Sequence, residues 1–211
     1  MKINEIYYSI QGEGTAAGLS CVFIRASYCN LRCNWCDTSY AFYEGEELSV
    51  DAICAQVAAF ACRMVAITGG EPLLHKEVYP LMTRLLDDGY RVLLETSGSL
   101  AIDAVDSRAT IILDIKCPGS GMNHAIRWEN LAALKPQDEV KFVISDRADF
   151  EWAKTVINQN PTLRDKTILF SPVFDRLEPR LLAEWIIQEN LSVRLNMQLH
   201  KIIWEPDRRG V

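Results

Sequence analysis

Residues 29–36 read CNLRCNWC, so Cys29, Cys33 and Cys36 stand close together in one short segment. Three thiolates at this spacing can surround a soft metal centre. A structural zinc ion normally takes four protein ligands, and a [4Fe–4S] cluster usually takes four cysteines. The segment therefore indicates a metal site at which one coordination position is left for another ligand.

Two metals and the absence of any metal are the alternatives at this point. With three cysteines, an iron–sulfur cluster leaves one iron open to a substrate or cofactor. The apolar side chains of Tyr28 and Trp35 flank the cysteines, and the loop follows an apolar strand directly, which favours iron–sulfur. For zinc, the fourth ligand would be either Cys117 or one of the three histidines, His75, His124 and His200.

Composition excludes several classes of protein. The 211 residues are 49% hydrophobic and 24% charged, which predicts one globular domain over residues 1–211. The net charge is −6, and the only basic cluster is Arg208–Arg209, so we expect no nucleic-acid partner. No apolar run approaches the roughly 20 residues that span a bilayer. Because seven irregularly spaced cysteines and the polar start MKINEIYYSIQGEG fit a reducing compartment, we expect a cytoplasmic protein without a membrane partner.

Short apolar runs alternate with amphipathic helical stretches along the whole chain. Most runs are continuous in Val, Ile, Leu and Phe, which is typical of strands buried on both faces of a parallel sheet. This α/β alternation predicts either a doubly wound sheet or a barrel. The predicted strands are Ser20–Ala26, Met64–Thr68, Tyr90–Glu95, Thr110–Ile115, Val140–Ser145, Thr167–Ser171 and Val193–Met197. The predicted helices are Val50–Ala61, Glu77–Asp88, Asp149–Gln159 and Glu178–Glu189, with a further short one within Asn123–Leu134.

The unusual segments of the chain follow predicted strands. The cysteine loop follows the first strand, and TGGEP, ETSG, DIKCPGS and SPVF end later ones. Functional residues lie at the C-terminal ends of the strands in both candidate folds. Glycines after strands also make ordinary turns, but the sequence predicts that these segments converge on one rim.

The cysteine motif and the TGGEP segment at residues 68–72 together resemble the radical S-adenosylmethionine (SAM) superfamily. The resemblance implies that the three cysteines hold a [4Fe–4S] cluster. It also implies that SAM binds the open iron through its amino and carboxylate groups, beside the glycine-rich segment. In that setting a fourth protein ligand would block SAM, so we interpret Cys117 as a buried or rim thiol.

Further motifs narrow the resemblance. IQGEG at residues 10–14, Arg25, CDT at 36–38, ETSG at 95–98 and a C-terminal QLHKIIW resemble the 7-carboxy-7-deazaguanine synthase (QueE) family, from residue 3 to near residue 211. The resemblance implies a modified, incomplete (β/α)6-type radical SAM barrel. It implies that 6-carboxy-5,6,7,8-tetrahydropterin is converted into 7-carboxy-7-deazaguanine with release of ammonia, for queuosine and other 7-deazapurines. It further implies a homodimer and a flavodoxin- or ferredoxin-type electron donor.

The implied substrate is a flat pterin with an amino-pyrimidinone edge and a carboxylate. Glycines beside Gln11 and Glu13 allow close approach to a flat ring, and Glu13 can accept two hydrogen bonds from that edge. Arg25 is suited to bind the carboxylate with two hydrogen bonds. The alternatives are an ordinary turn, a surface ion pair and, for His200, a structural histidine. The substrate residues implied by the resemblance are Ile10, Gln11, Gly12, Glu13, Arg25, Thr96, His200 and Val211.

The resemblance also implies a Mg²⁺ ion and a set of SAM contacts. Thr38, two residues after the third cysteine, is the implied Mg²⁺ ligand, and a turn or N-cap hydroxyl is its alternative. The implied SAM contacts are Trp35, Cys36, Asp37, Gly70, Glu71, Gly98, Asp114, Ile115, Lys116, Ser171 and Phe174. Residues 114–116 read DIK here, whereas many members of the family read Ser-Pro-Lys, so these contacts depart from the pattern.

Two other functions compete with this hypothesis. A glycyl-radical activating enzyme has the same cysteine spacing, but the QGEG segment and Arg25 suit a small carboxylated ring better than a protein backbone. A zinc-binding interaction module is the non-enzyme alternative. Iron and labile sulfide in the purified protein distinguish it from a cluster enzyme.

Overall fold

The computed structural model describes all residues from Met1 to Val211. Nine strands form one sheet in the order β3-β1-β2-β4-β5-β6-β7-β8-β9. The strands are β1 (Lys2–Ile10), β2 (Ser20–Ala26), β3 (Glu46–Glu47), β4 (Met64–Gly69), β5 (Arg91–Thr96), β6 (Thr110–Ile115), β7 (Glu139–Ile144), β8 (Thr167–Pro172) and β9 (Arg194–Leu195).

The strand order decides between the two predicted α/β folds. From β2 through β4 to β9, each strand pairs in parallel with the one before it. A doubly wound sheet reverses its order at a switch point, and no reversal occurs here. Because crossovers are right-handed, steady addition on one side keeps the helices on one face and curls the sheet. Since β3 and β9 remain the two edges, the barrel is incomplete, which confirms the predicted fold class.

Five helices lie between strands where the sequence predicts them, with shifted ends, and a sixth after the last strand was not predicted. Ser49 accepts a hydrogen bond from the Ala52 N–H and begins α1, as expected of an N-cap. Gly89 has a φ of +83° and ends α2. The helices are α1 (Val50–Ala58), α2 (Val78–Asp87), α3 (Asn130–Ala133), α4 (Arg147–Gln159), α5 (Pro179–Gln188) and α6 (His200–Ile203). Short 3₁₀ turns occupy Gly14–Ala16, Ser39–Phe42, Pro72–Leu74, Pro118–Ser120, Asn123–Ala125 and Pro161–Leu163.

The first strand was not predicted. Strand β1 runs antiparallel to β2, and Ile10 pairs with Ser20 at the N-terminal end of β2. Its sequence KINEIYYSI carries polar residues that face the interior of the barrel, so it lacks the continuous apolar run of the other strands. The antiparallel direction brings residues 11–14 to the side of the barrel opposite the cysteine loop.

Residues 11–14 also contact the segment that follows the last strand. The Leu199 N–H donates to the Gly12 carbonyl at 3.1 Å, and the Gly14 N–H donates to Asn196 Oδ1 at 2.7 Å. The Thr15 hydroxyl and N–H donate to Glu139 at the start of β7. Because β9 does not pair with β3, these contacts connect the N-terminal part of the chain to the far end of the open sheet.

The two faces of the strands have different surroundings. Residues that point outward pack against the helices in the larger apolar cluster. Residues that point inward form a smaller apolar layer, which includes Phe23, Ala66, Leu93, Ile112 and Leu169. The next inward-pointing residues, two positions further along the strands, are polar, and we call them the inner polar ring. It consists of Arg25, Thr68, Glu95, Asp114, Lys141 and Ser171.

None of the helices combines the length and apolarity that crossing a bilayer requires. The longest, α4, has 13 residues.

Candidate active site

A cavity of about 520 Å³ occupies the interior of the barrel. Its wall includes the cysteine loop and residues 68–70 at one end, and residues 10–13 at the other. Five of the six residues of the inner polar ring line the space between them, and the C-terminal residues 206–211 lie along its edge. A single space thus joins the predicted metal motif to the predicted substrate motif.

All three cysteines of CNLRCNWC line this cavity. The backbone ahead of them is held by the glycine-rich segment, because the Gly70 N–H donates to the Ala26 carbonyl at 2.9 Å and the Glu71 N–H donates to the Tyr28 carbonyl at 2.7 Å. Tyr28 itself has a φ of +66°, which turns the chain out of β2 into the loop. The two motifs predicted to act together are therefore one hydrogen-bonded unit.

The glycine-rich segment approaches the cysteine loop so closely at this junction that only glycine fits at position 70. A Cβ placed on Gly70 would overlap the Tyr28 carbonyl oxygen and stand 3.1 Å from the Cys29 nitrogen. Gly69 has a φ of +129°, and a Cβ there would overlap the Ala26 carbonyl oxygen. These glycines let the two loops touch through their backbones.

The donor set fits a three-cysteine cluster. Cys117 is buried outside the cavity wall, and burial raises the pKa of its thiol well above the usual value. No three His, Cys, Asp or Glu side chains converge on one point, as a single ion would require. A cluster instead takes each thiolate on a different iron, so its ligands stand apart. Cys29, Cys33 and Cys36 are the residues that fit this group.

Glu71 of the TGGEP segment points away from the cavity. Its Oε1 accepts hydrogen bonds from the Leu73 N–H at 3.1 Å and from the Thr96 hydroxyl at 2.8 Å. Its Oε2 accepts from the Ser97 N–H at 2.9 Å and from the Ser97 hydroxyl at 2.5 Å. The fully buried carboxylate therefore ties the end of β4 to the end of β5, with a donor for each lone pair.

The Thr38 side chain faces the cavity beside the third cysteine. Its hydroxyl oxygen lies 3.8 Å from Cys36 Sγ. Thr38 precedes the 3₁₀ turn Ser39–Phe42, but its side chain makes no capping hydrogen bond there. The hydroxyl is thus placed where a ligand in the cavity can reach it.

Arg25 is a largely buried member of the inner polar ring. Its Nε donates to Glu5 Oε1 at 2.7 Å, and its Nη2 donates to the Tyr7 hydroxyl at 2.8 Å. The Tyr40 hydroxyl donates to the same Glu5 oxygen at 3.0 Å. Burial raises the pKa of Tyr7 to about 12, with a smaller opposing effect of Arg25. Three N–H groups of the guanidinium remain for a ligand, so one edge can still bind a carboxylate.

Glu13 enters the barrel from the opposite side. Its Oε2 accepts a hydrogen bond from Lys141 Nζ at 2.9 Å and its Oε1 accepts one from Gln198 Nε2 at 3.2 Å. Burial by itself would raise the pKa of Glu13, but the charge and hydrogen bond of Lys141 outweigh it and lower the pKa. Glu13 is therefore held as a carboxylate.

Asp114 and Lys116 stand between Glu13 and the cysteines. Asp114 Oδ2 lies 3.0 Å from Lys116 Nζ and 3.4 Å from Lys141 Nζ. Burial opposes ionisation of Asp114, but the two ammonium groups lower its pKa. Its Oδ1 is buried without a hydrogen-bond partner. Since a buried acceptor without a donor is costly, this oxygen fits a donor group on a bound ligand.

The C-terminal residues lie against the loop after the cysteines. Lys201 Nζ is 2.8 Å from Asp37 Oδ2, and the Arg209 guanidinium stacks 3.7 Å from the centre of the Tyr40 ring. Burial lowers the pKa of His200, although Glu13 and Asp37 act in the opposite direction. A neutral His200 therefore faces the same space as Glu13.

The structure brings most of the predicted site residues to one cavity and leaves four outside its wall. Those outside are Glu71, Gly98, Ile115 and Ser171. The predicted residues that line the cavity are Ile10, Gln11, Gly12, Glu13, Arg25, Cys29, Cys33, Trp35, Cys36, Asp37, Thr38, Gly70, Thr96, Asp114, Lys116, Phe174, His200 and Val211.

Sequence reasoning missed several polar residues of the cavity. Glu95 accepts hydrogen bonds from Gln11 and from Thr68, and Lys141 holds Glu13. Both are charged residues within otherwise apolar strands, which is a signal that the sequence carried. Tyr7 and Gln198 had no such signal, because they lie in segments of mixed polarity.

Comparison with known proteins agrees with this geometry. Residues 23–114 match the model of the Radical SAM superfamily. A 7-carboxy-7-deazaguanine synthase of Koribacter versatilis is 45% identical over the whole of both chains. One of Chlorobaculum tepidum is 46% identical over all of this chain and 97% of that protein. The crystal structure of QueE from Escherichia coli superposes with a TM-score of 0.77 at 25% identity, covering 93% of each chain.

The incomplete barrel with three cysteines at one end of its cavity is that of a radical SAM protein. Within that class, the chain belongs to the 7-carboxy-7-deazaguanine synthase family.

Proposed function

We propose that this protein converts 6-carboxy-5,6,7,8-tetrahydropterin into 7-carboxy-7-deazaguanine and ammonia, as a radical SAM lyase of 7-deazapurine and queuosine biosynthesis. One observation carries the proposal: a single cavity holds the three cysteines at one end, and elsewhere a largely buried arginine and glutamate that suit a carboxylated pterin. The assignment of the chain to its family replaces the hypotheses of a glycyl-radical activating enzyme and of a zinc-binding module.

In this proposal Cys29, Cys33 and Cys36 hold a [4Fe–4S] cluster, and SAM lies beside it. When bound and reduced, the cluster together with SAM supplies a radical that abstracts hydrogen from the substrate. The chain itself orients SAM and excludes water from the barrel. The SAM contacts that we retain from the cavity wall are Trp35, Cys36, Asp37, Gly70, Asp114, Lys116 and Phe174. Glu71 supports that wall by accepting hydrogen bonds from Thr96 and Ser97. Gly98 supports it through its backbone N–H, which donates to the Thr96 hydroxyl.

The substrate would lie between Arg25 and Glu13. Arg25 offers its free guanidinium edge to the carboxylate of the pterin, and Glu5 fixes the opposite edge at 2.7 Å. Glu13 is held as a carboxylate and accepts the N–H groups of the amino-pyrimidinone edge. Gln11, Thr96, His200 and Val211 complete the wall of this part of the cavity. The conversion needs no external oxidant or reductant overall, because loss of ammonia accounts for every atom that leaves the ring.

Thr38 is proposed as the protein ligand of Mg²⁺. Its hydroxyl has no capping role and lies beside Cys36, at the side of the cavity where the cluster and substrate would meet. Mg²⁺ often takes few protein ligands and completes its shell with substrate oxygens and water. We expect Thr38→Ala to raise the Mg²⁺ concentration needed for half-maximal turnover by about tenfold or more, without loss of iron. Turnover of metal-stripped protein that is unchanged by added Mg²⁺ would refute this ligand.

Several broader features belong to the same proposal. We place the enzyme in the cytoplasm, which is supported by seven cysteines without a disulfide. Residues 1–211 are treated as one domain, because a single sheet includes strands from β1 to β9. A homodimer and a flavodoxin- or ferredoxin-type electron donor are inferred from the family. A small-molecule substrate fits the cavity, and the net charge of −6 favours a protein with no nucleic-acid or membrane partner.

The decisive experiment is an anaerobic assay. Reconstituted protein is incubated with SAM, a reductant, Mg²⁺ and 6-carboxytetrahydropterin, and 7-carboxy-7-deazaguanine and ammonia are measured. Equal amounts of both products support the proposal. Cleavage of SAM without either product would leave a radical SAM enzyme with another substrate.

A further inference from the structure

Lys141 is the buried cation that joins the two ends of the cavity. It lies on β7 between Val140 and Phe142, both of which are fully buried against the helices. Strand alternation turns its side chain inward, in register with Leu169 of the apolar layer. An ammonium group in such a place is costly unless it is fully paired.

The pairing of Lys141 connects Glu13 with Asp114. Its Nζ lies 2.9 Å from Glu13 Oε2 and 3.4 Å from Asp114 Oδ2. Burial by itself would lower the pKa of Lys141, but Glu13 and Asp114 raise it well above the usual value. An ammonium group has three N–H donors, so one remains after these two partners.

The surroundings of Glu13 show what this lysine does. Gln198 Nε2 binds Oε1 at 3.2 Å, and Asn196 Nδ2 approaches Oε2 at 3.4 Å. Lys141 provides the only cationic hydrogen bond to the Glu13 carboxylate. Each carboxylate oxygen accepts about two hydrogen bonds, so Oε1 can accept one more from a ligand. Oε2 can do the same in place of the 3.4 Å contact of Asn196, because the Asn196 amide also donates to Ser171 Oγ at 2.7 Å. Without a cation, burial would raise the pKa of this largely buried carboxylate and favour its protonated form.

We propose that Lys141 is the positioning residue that fixes Glu13 for recognition of the amino-pyrimidinone edge of the substrate. The inference rests on the proposed function and adds the cause of its specificity. Two parallel N–H groups of that edge match two acceptors, which only the ionised form of Glu13 offers. A protonated Glu13 would present one donor and repel one of those N–H groups. Lys141 thus excludes rings that carry an oxygen in place of the 2-amino group.

The test compares Lys141→Met and Lys141→Arg with the wild type. Binding of 6-carboxytetrahydropterin and of its 2-oxo analogue is measured by anaerobic calorimetry, together with kcat and KM. Lys135→Met is the matched control, because Lys135 pairs at 2.9 Å with the fully buried carboxylate of Asp138 outside the cavity wall. It therefore loses a comparable ion pair without touching Glu13.

We expect Lys141→Met to weaken binding of the substrate by about 10- to 100-fold, the usual range for a hydrogen bond to a charged group. The preference for the 2-amino ring over its 2-oxo analogue should fall by a similar factor, and kcat should change by less than about threefold. Lys141→Arg keeps the positive charge and should restore most of the preference. Lys135→Met should lower the melting temperature but leave both affinities as in the wild type.

The dependence on pH gives a readout that a purely structural lysine would not change. In Lys141→Met, burial is no longer opposed by the ammonium group and raises the pKa of Glu13, so substrate binding should weaken as the pH falls from 8 to 5.5. The wild type should show a flatter profile. The other charged groups around Glu13 are Glu95 on β5, Asp114 on β6, Glu139 on β7, Asp37 on the cysteine loop and His200 on α6. They are the same in both proteins, so the ratio of the two profiles isolates Lys141.

Two outcomes overturn the inference while leaving the proposed function intact. One is a Lys141→Met protein that makes product with wild-type affinity and preference. The other is a loss of affinity that is equal for both rings and independent of pH, which would mean a structural role only. Failure of the wild type to make 7-carboxy-7-deazaguanine would instead refute the proposed function itself. If Lys141→Met does not fold, Lys141→Arg and Lys141→Gln carry the same comparison.

Discussion

Replacing Glu71 with glutamine tests whether the glutamate of the TGGEP segment has a structural role or binds the cofactor. Its two oxygens each accept one backbone N–H, from Leu73 at 3.1 Å and from Ser97 at 2.9 Å. They also accept the hydroxyls of Thr96 and Ser97. A glutamine has one oxygen and one NH₂ group. Either orientation of the amide therefore leaves one backbone N–H facing another donor.

The cost follows from these four hydrogen bonds. The substitution removes one charge-assisted bond from a backbone N–H, worth about 1.5–3 kcal/mol, and leaves that buried N–H without an acceptor. The hydroxyl beside the NH₂ group can rotate and accept instead, so its loss is small. We expect the free energy of unfolding to fall by about 3 kcal/mol.

The assay is anaerobic urea unfolding of the cluster-free protein, together with SAM binding to the reconstituted protein. Since Glu71 does not line the cavity, SAM affinity of the folded variant should stay within about fivefold of the wild type. Glu184→Gln is the control: this residue, whose side chain is 42% exposed, pairs only with Arg180 one helical turn away, and the change should cost less than about 0.5 kcal/mol. A Glu71→Gln protein of normal stability with SAM affinity reduced 100-fold would refute the reasoning and make Glu71 a direct cofactor ligand.

Three further predictions concern the same site. Gly70→Ala should lower the free energy of unfolding by about 2–4 kcal/mol and reduce iron incorporation, because its Cβ overlaps the Tyr28 carbonyl oxygen; Gly89→Ala, which has open space around it, should cost about 1 kcal/mol and keep its iron. Cys33→Ala should abolish iron and labile sulfide, whereas Cys117→Ala should keep both. A Cys117→Ala protein that loses its iron while Cys33→Ala retains it would contradict the ligand set. Glu5→Gln should raise KM for the substrate about tenfold with little change in kcat, because Arg25 loses its charged partner at 2.7 Å; an unchanged KM would exclude positioning by Glu5.

The barrel could be predicted from local patterns because the information lies within short segments. Continuous apolar runs predict buried parallel strands, and the structure has strands at all seven predicted places, with β2 and β6 at the predicted ends. The capping by Ser49 and the termination at Gly89 are equally local, since each depends on neighbouring backbone groups. Strand β1 escaped prediction because its inward residues Glu5 and Tyr7 are polar and serve Arg25.

The sequence by itself determined the chemistry of the site: residues 29–38 supply three cysteines and residues 68–72 a glycine-rich turn, which together suit a cluster cofactor. The long-range pairs were decided only by the tertiary structure. Lys141 is 128 residues from Glu13, and the two meet because the antiparallel β1 carries residues 11–14 across the open side of the barrel. Glu71 turned out to bind backbone and hydroxyl donors rather than face the cavity, since β4 and β5 are neighbours in the sheet. Such contacts depend on how distant strands curl around a common interior, and no local pattern of residues records that curvature.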